Sequence, residues 1–267
     1  MALKTRRMRC GQLGWLNHVL DADWDFAGAQ SQTGQHHVGL HNMDSKIHFL
    51  TAKLKLLHMA GYAHTMIRTM SYGLLKALED EDFFKQPIRD LFPSADDDQL
   101  SEIIRLKRDR DLDEALNGAK AASLIFIHTG LESCLEVIAR FGAEQNPNEW
   151  ARLFGNKKIS IKEVIENSPS ELLKIYAEKY LDTFSREPLP KKAEILLSVL
   201  KPNSGQYNDY KYDQEKLIRI DSLRHECAHG GIDLADFSSI YYDIDYLKNT
   251  GEFFLHLMAK KHKITLD

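Results

Sequence analysis

Residues 119–142 read AKAASLIFIHTGLESCLEVIARFG, and the spacing of their apolar letters decides between a sheet and a helical bundle. Leu124, Ile127, Leu131, Leu135 and Ile138 recur at intervals of three and four, which is a helical period and not the alternation of a strand. Ile125, Val137 and Phe141 add apolar weight on further sides, so this helix belongs in a core. Gly142 is the expected stop.

Working outward, the same period returns in every long segment. Upstream, 99–117 reads as a highly charged helix introduced by Asp96–Asp98, with Asn117–Gly118 as a bend or interruption. Before it, Ile47, Leu50, Leu54, Leu57 and Tyr62 have amphipathic spacing, with Asp44 or Ser45 as N-cap, and Pro87 and Pro93 punctuate the connector. Downstream, Ser168 and Glu171 around Pro169 form a capping-box pattern, KKAEILLSVLK begins another helix, and 214–229 reads as helix up to Gly230–Gly231. A closing helix follows, nicked near Gly251. No stretch alternates with period two and no repeat is present, so the expected fold class is an all-α bundle. The expected divisions are 1–42, a disordered tail or non-native extension; 43–98, an N-terminal helix and connector; and 99–267, the helical domain.

Bulk composition narrows the function classes. Lys and Arg total 35 against 39 Asp and Glu, a net charge of -4, so no global positive field advertises nucleic acid and any such surface must be local. The basic runs at 105–110, 157–158, 191–192 and 260–263 are expected to be solvated helix faces. Cys10, Cys134 and Cys227 are far apart and odd in number, which fits neither a disulfide framework nor a cysteine metal site. A reducing cytoplasm is the expected setting. No apolar run of membrane-spanning length stands out, and no membrane partner is expected.

Residues 223–231, LRHECAHGG, carry the candidate chemistry. At about 100° per residue, Leu217, Ile220, Leu223, Cys227 and Ala228 share one arc of the helix, and Arg224 falls inside it. An arginine there needs a carboxylate, a partner subunit or an anion, because burying its charge alone costs several kcal/mol. Two readings are open. His225-Glu226-Cys227-Ala228-His229 spells H-E-x-x-H, so His225 and His229 could ligate zinc with Glu226 as general base and Glu252 as a distant third ligand. Arg224 and His229 alternatively supply what metal-free RNA cleavage requires: a cation for the phosphate and a base for the 2′-hydroxyl. On that second reading no metal or cofactor is needed.

The pattern R-x-x-x-x-H, with His225 directly after the arginine and Gly230 after the final histidine, resembles the signature of the HEPN domains. The upstream apolar helix bearing Glu132 is also similar, and the likeness covers roughly residues 100–260. The resemblance implies an all-α homodimer in which facing signature helices form a metal-independent endoribonuclease site, leaving a 2′,3′-cyclic phosphate and a 5′-hydroxyl. By this likeness Arg224 holds the scissile phosphate, His229 acts as base or acid, and His225 assists. Glu132 and, one turn before it, His128 are possible supporting residues. Many such proteins are toxins paired with antitoxins or antiviral defence effectors, so RNA, a second copy and an antitoxin or regulatory protein are the expected partners. A noncatalytic RNA- or protein-binding module and a zinc hydrolase remain as alternatives at this stage.

Overall fold

The computed structural model describes residues 37–79, 85, 88–153, 160–201, 210–229 and 239–266, with side chains from 46 onward apart from 75 and 77–79. Every regular element among the described residues is helical. In chain order they are α1 (His37–Glu79), α2 (Asp97–Gln145), α3 (Pro147–Leu153), α4 (Ile161–Glu166), α5 (Pro169–Ser185), α6 (Leu189–Leu200), α7 (Gln214–His229) and α8 (Ile240–Lys261). Leu40–Asp267 forms one compact unit.

Three helices start on capping boxes. The Asp96, Ser160 and Ser168 side chains accept from the backbone of Gln99, Glu163 and Glu171, whose side chains reach back to the cap. Each box satisfies two donors that a helix start otherwise leaves open. α1 instead begins at His37 and runs through Asp44 and Ser45, so neither residue is its cap.

α2 is the central rod, and it departs twice from the sequence expectation. It passes through Asn117–Gly118 without a break and continues past Gly142 to Gln145. A Cβ on Gly142 would stand 2.8 Å from Met258 Cε and 2.9 Å from Trp150 Nε1, so this glycine serves close packing rather than termination. Gly251 behaves alike within the unbroken α8, where an added Cβ would meet Leu56 Cδ2 at 2.3 Å and Leu131 Cδ1 at 3.2 Å. At Gly118 nothing lies within 4 Å. The two sites should therefore respond to alanine with opposite signs. Gly118→Ala gains about 0.5–1 kcal/mol from helix propensity. Gly251→Ala loses about 1–3 kcal/mol to overpacking, and urea midpoints of the two variants check the contrast.

The core joins α1, α2 and α8. Phe49, Leu56, Ala63 and Ile67 of α1 are buried in one cluster with Leu131, Ile138, Phe254 and Met258. Phe49 meets Phe141 edge-on at 4.7 Å, and the buried Ser123 Oγ donates to the Ala63 carbonyl at 3.1 Å. α1 therefore packs on the bundle. Trp150 of α3 is fully buried between Tyr180 and Phe184 of α5, which ties the α3–α5 layer to α2.

α2 holds one stretch apolar and long enough to cross a membrane by length and composition, where the sequence reading expected none. In the structure 56% of that stretch is buried inside the bundle, and His128 and Glu132 within it face polar partners. Its N-terminal half differs: between Asp97 and Gly118 only Leu100 is buried. There the basic run 105–110 pairs with its own helix, Arg105 with Glu102 at 2.8 Å, Lys107 with Asp111, and Arg110 with Glu114 at 3.8 Å. That is the solvated face expected of it.

Candidate active site on α7

α7 spans Gln214–His229, the bounds read from sequence. Leu217, Ile220 and Leu223 are buried, Arg224 and Cys227 are half-buried, and His225, Glu226, Ala228 and His229 are exposed. The helix thus turns its apolar arc to the bundle and carries Arg224 at the edge of that arc. His225 and His229 stand in the solvent at its C-terminal end. Gly230 and Gly231 lie outside the described residues.

The two supporting candidates are brought together, and both belong to a larger buried polar chain. His128 has a side chain only 2% exposed, and its Nε2 donates to Asp221 Oδ1 of α7 at 2.7 Å. Its Nδ1 stands 3.6 Å from Glu132 Oε2, in ion-pair range but too long for a hydrogen bond. The other oxygen, Glu132 Oε1, is 3.6 Å from Lys192 Nζ of α6, which donates to Glu136 Oε1 at 2.9 Å. Burial alone would lower the His128 pKa, but Asp221 and Glu132 together hold it above its ordinary value. Burial would likewise raise Glu132, and His128, Lys192 and Arg224 outweigh it, leaving the carboxyl below the usual range. The three carboxylates Asp221, Glu132 and Glu136 are matched by Lys192, Arg224 and His128 only while the imidazole is protonated.

Asp221 and Glu136 escaped the sequence reading, and Lys192, expected with Lys191 on a solvated face, is instead buried because Glu132 and Glu136 accept its charge inside the bundle. Lys192 had a legible signal, since it shares helical spacing with Leu189, Leu196 and Val199, the buried stripe of α6. It is a charge inside an apolar arc, as Arg224 is.

Arg224 itself has no such partner. Its Nε is buried and makes no hydrogen bond, and among the described residues no carboxylate stands in ion-pair range of it. Glu132 acts on it only at longer reach. The bland expectation, a closed buried ion pair, is therefore not what the helix presents.

The zinc reading finds no geometry. Among the described residues no group of three or more His, Cys, Asp or Glu side chains is placed to hold a metal ion, so His225, His229 and Glu252 are not gathered. Glu252 sits on α8, where its charge acts on the buried thiol of Cys134. Burial pushes that thiol up to about 12, which leaves it inert as a nucleophile. Tyr210 and Tyr212, just before α7, anchor the chain to α8. Tyr210 shares a 2.5 Å hydrogen bond with Thr250 Oγ1, and Tyr212 stacks on Phe253.

No family model, curated protein or solved structure matches this chain.

His128 also sets a pH dependence of stability. Its folded-state pKa lies above the 6.5 of the free side chain, so its contribution is complete below pH 6.5 and is lost as pH rises through the folded value. Urea midpoints measured from about pH 6 to pH 9 should fall for the wild type more steeply than for His128→Gln. Parallel curves would show that the imidazolium is not held by Asp221 and Glu132.

Proposed function

We propose that this chain is a metal-independent endoribonuclease of the HEPN type, acting as a homodimer whose site combines Arg224 of one copy with His229 of the other. The observation that carries this reading is an arginine on the apolar edge of α7 with a buried Nε and, among the described residues, no ion-pair partner, next to the exposed His225 and less than two turns of helix from the exposed His229. A guanidinium left open in this way suits a phosphate, which it grips with two parallel hydrogen bonds. Histidine titrates near neutral pH and can take the proton of a ribose 2′-hydroxyl as that oxygen attacks the adjacent phosphorus, the 5′-oxygen leaving with a proton from a second imidazole. His225 is the candidate for that second role.

Residues five apart on a helix point about 140° apart, so one copy of α7 converges its arginine and histidine poorly on one phosphate. Two copies packed face to face form a shared cleft. Its walls bring RNA to a local cation within a chain of net charge -4.

The test is incubation of the purified full-length protein with tRNA and total RNA in excess EDTA. The expected result is cleavage leaving 2′,3′-cyclic phosphate ends, together with a dimer in sedimentation at micromolar concentration. Activity abolished by the chelator would favour a metal enzyme, and binding without cleavage would favour an interaction module; either overturns the proposal. A relation to toxin or defence systems is tested by inducing expression in growing cells, where growth should slow and an Arg224→Ala variant should not slow it.

A further inference from the structure

We infer that Lys192 is a positioning residue for Arg224: by engaging Glu132 from the side of α6, it keeps that carboxylate from closing an ion pair on the arginine and leaves the guanidinium open for an anionic phosphate. This inference rests on the nuclease reading for its functional meaning, but the device itself is built from the bundle alone.

Glu132 has to choose between several cations. Three cationic groups lie around one half-buried carboxylate, and it has two oxygens. Oε2 faces His128 Nδ1 at 3.6 Å and Oε1 faces Lys192 Nζ at 3.6 Å. Both oxygens are therefore turned toward other cations, and Arg224 Nε is left buried without an acceptor. A guanidinium beside an uncommitted carboxylate in a low-dielectric setting closes onto it, because that pair is short, charge-assisted and bidentate. Here the closure has not occurred.

Lys192 is itself costly to bury, with a side chain only 3% exposed, and it is held there by Glu136 Oε1 at 2.9 Å as well as by Glu132. Burial of an ammonium group is retained only with such partners. Its placement beside a carboxylate whose charge reaches Arg224 gives the expense a purpose. Glu136 fixes the ammonium, the ammonium occupies Glu132, and Arg224 stays unclaimed. Removing the ammonium alone would free Glu132 to capture the guanidinium, and removing the Glu132 charge as well would release it again.

The experiment compares wild type, Lys192→Met, Glu132→Gln and the Lys192→Met/Glu132→Gln double variant as full-length proteins. Methionine keeps the volume of the lysine stem, and circular dichroism verifies folding of each. The first readout is the Nε–H signal of Arg224 in proton–nitrogen NMR, assigned by its loss in Arg224→Lys. In Lys192→Met it should shift, and its exchange with water should slow about tenfold, the protection that one charge-assisted hydrogen bond gives. The double variant should return both to the wild-type values. The second readout is RNA cleavage: Lys192→Met should raise KM about tenfold with kcat changed far less, and the double variant should recover KM. An Arg224 Nε–H signal unchanged in folded Lys192→Met, or unrestored in the double variant, overturns the inference. A wild type inert toward RNA sinks the nuclease reading instead, and the Nε–H comparison still decides Lys192. If Lys192→Met alone fails to fold, the pair Glu132→Gln and double variant decides it: their Arg224 Nε–H signals must coincide, and a difference between them overturns the inference.

Discussion

Arg224→Ala should lower single-turnover RNA cleavage about 10³-fold, the loss usual when a fixed cation or donor facing transition-state charge is removed. His229→Ala should cost about 10²–10⁴-fold, the range of general acid–base catalysis. Arg224→Lys should not restore activity, since an ammonium cannot reproduce two parallel contacts to phosphate. The folding cost of either change is expected to be small, because His229 is exposed and Arg224 has no ion pair to lose among the described residues. The decisive measurement is complementation. If the arginine and the histidine of one site come from different copies, a mixed dimer of Arg224→Ala with His229→Ala contains one intact site and one doubly damaged site. Random reassortment of two inert proteins should then recover about a quarter of wild-type activity. A site built within one copy predicts no recovery at all.

Trp150→Ala should be the most damaging single change to stability, about 3–5 kcal/mol. The indole is fully buried, faces Tyr180 at 6.1 Å and Phe184 at 6.2 Å, and fills the space left by the missing side chain of Gly142. Removing it leaves a cavity where α3 packs between α5 and α2. Against a total stability of about 5–15 kcal/mol this is about a fifth of the margin or more, and a drop in Tm of about 10 °C is expected. Trp150→Phe should recover most of the loss, since the indole nitrogen has no hydrogen-bond partner to forfeit. If the phenylalanine variant is as unstable as the alanine variant, shape rather than burial governs the site.

Much of the fold was legible where the signal is local. Helical period, the Ser168–Glu171 box and the limits of α7 depend on residues within a turn or two of one another, and they appear as read. The all-α class follows from the same local signals. Glycines were misread because their role depends on what lies opposite. Gly142 looks like a stop in sequence and Gly251 like a nick, and both are contact points for side chains from distant segments. Asn117–Gly118 failed as an interruption for a related reason. A helix tolerates one glycine for about 1 kcal/mol when the flanking turns continue.

The site divides along the same line. Arg224 announced itself by standing inside an apolar arc, and His128 and Glu132 by their place on the core helix. Asp221 and Lys192 did not, because the pairs that matter join positions 93 and 60 apart in the chain. No short-range pattern encodes such a pairing. Only a charge within the stripe of α6 pointed to it.

α2 runs for 49 residues, about 73 Å at 1.5 Å per residue, yet its burial is concentrated from Ala119 onward. One uninterrupted ladder of backbone hydrogen bonds is thus anchored at one end and nearly bare at the other. Amides near 100–117 should exchange with deuterium by fraying, at a low opening free energy, and those near 124–141 only when the whole molecule opens. A protease acting under native conditions should accordingly trim this antenna first and stop where the rod enters the core.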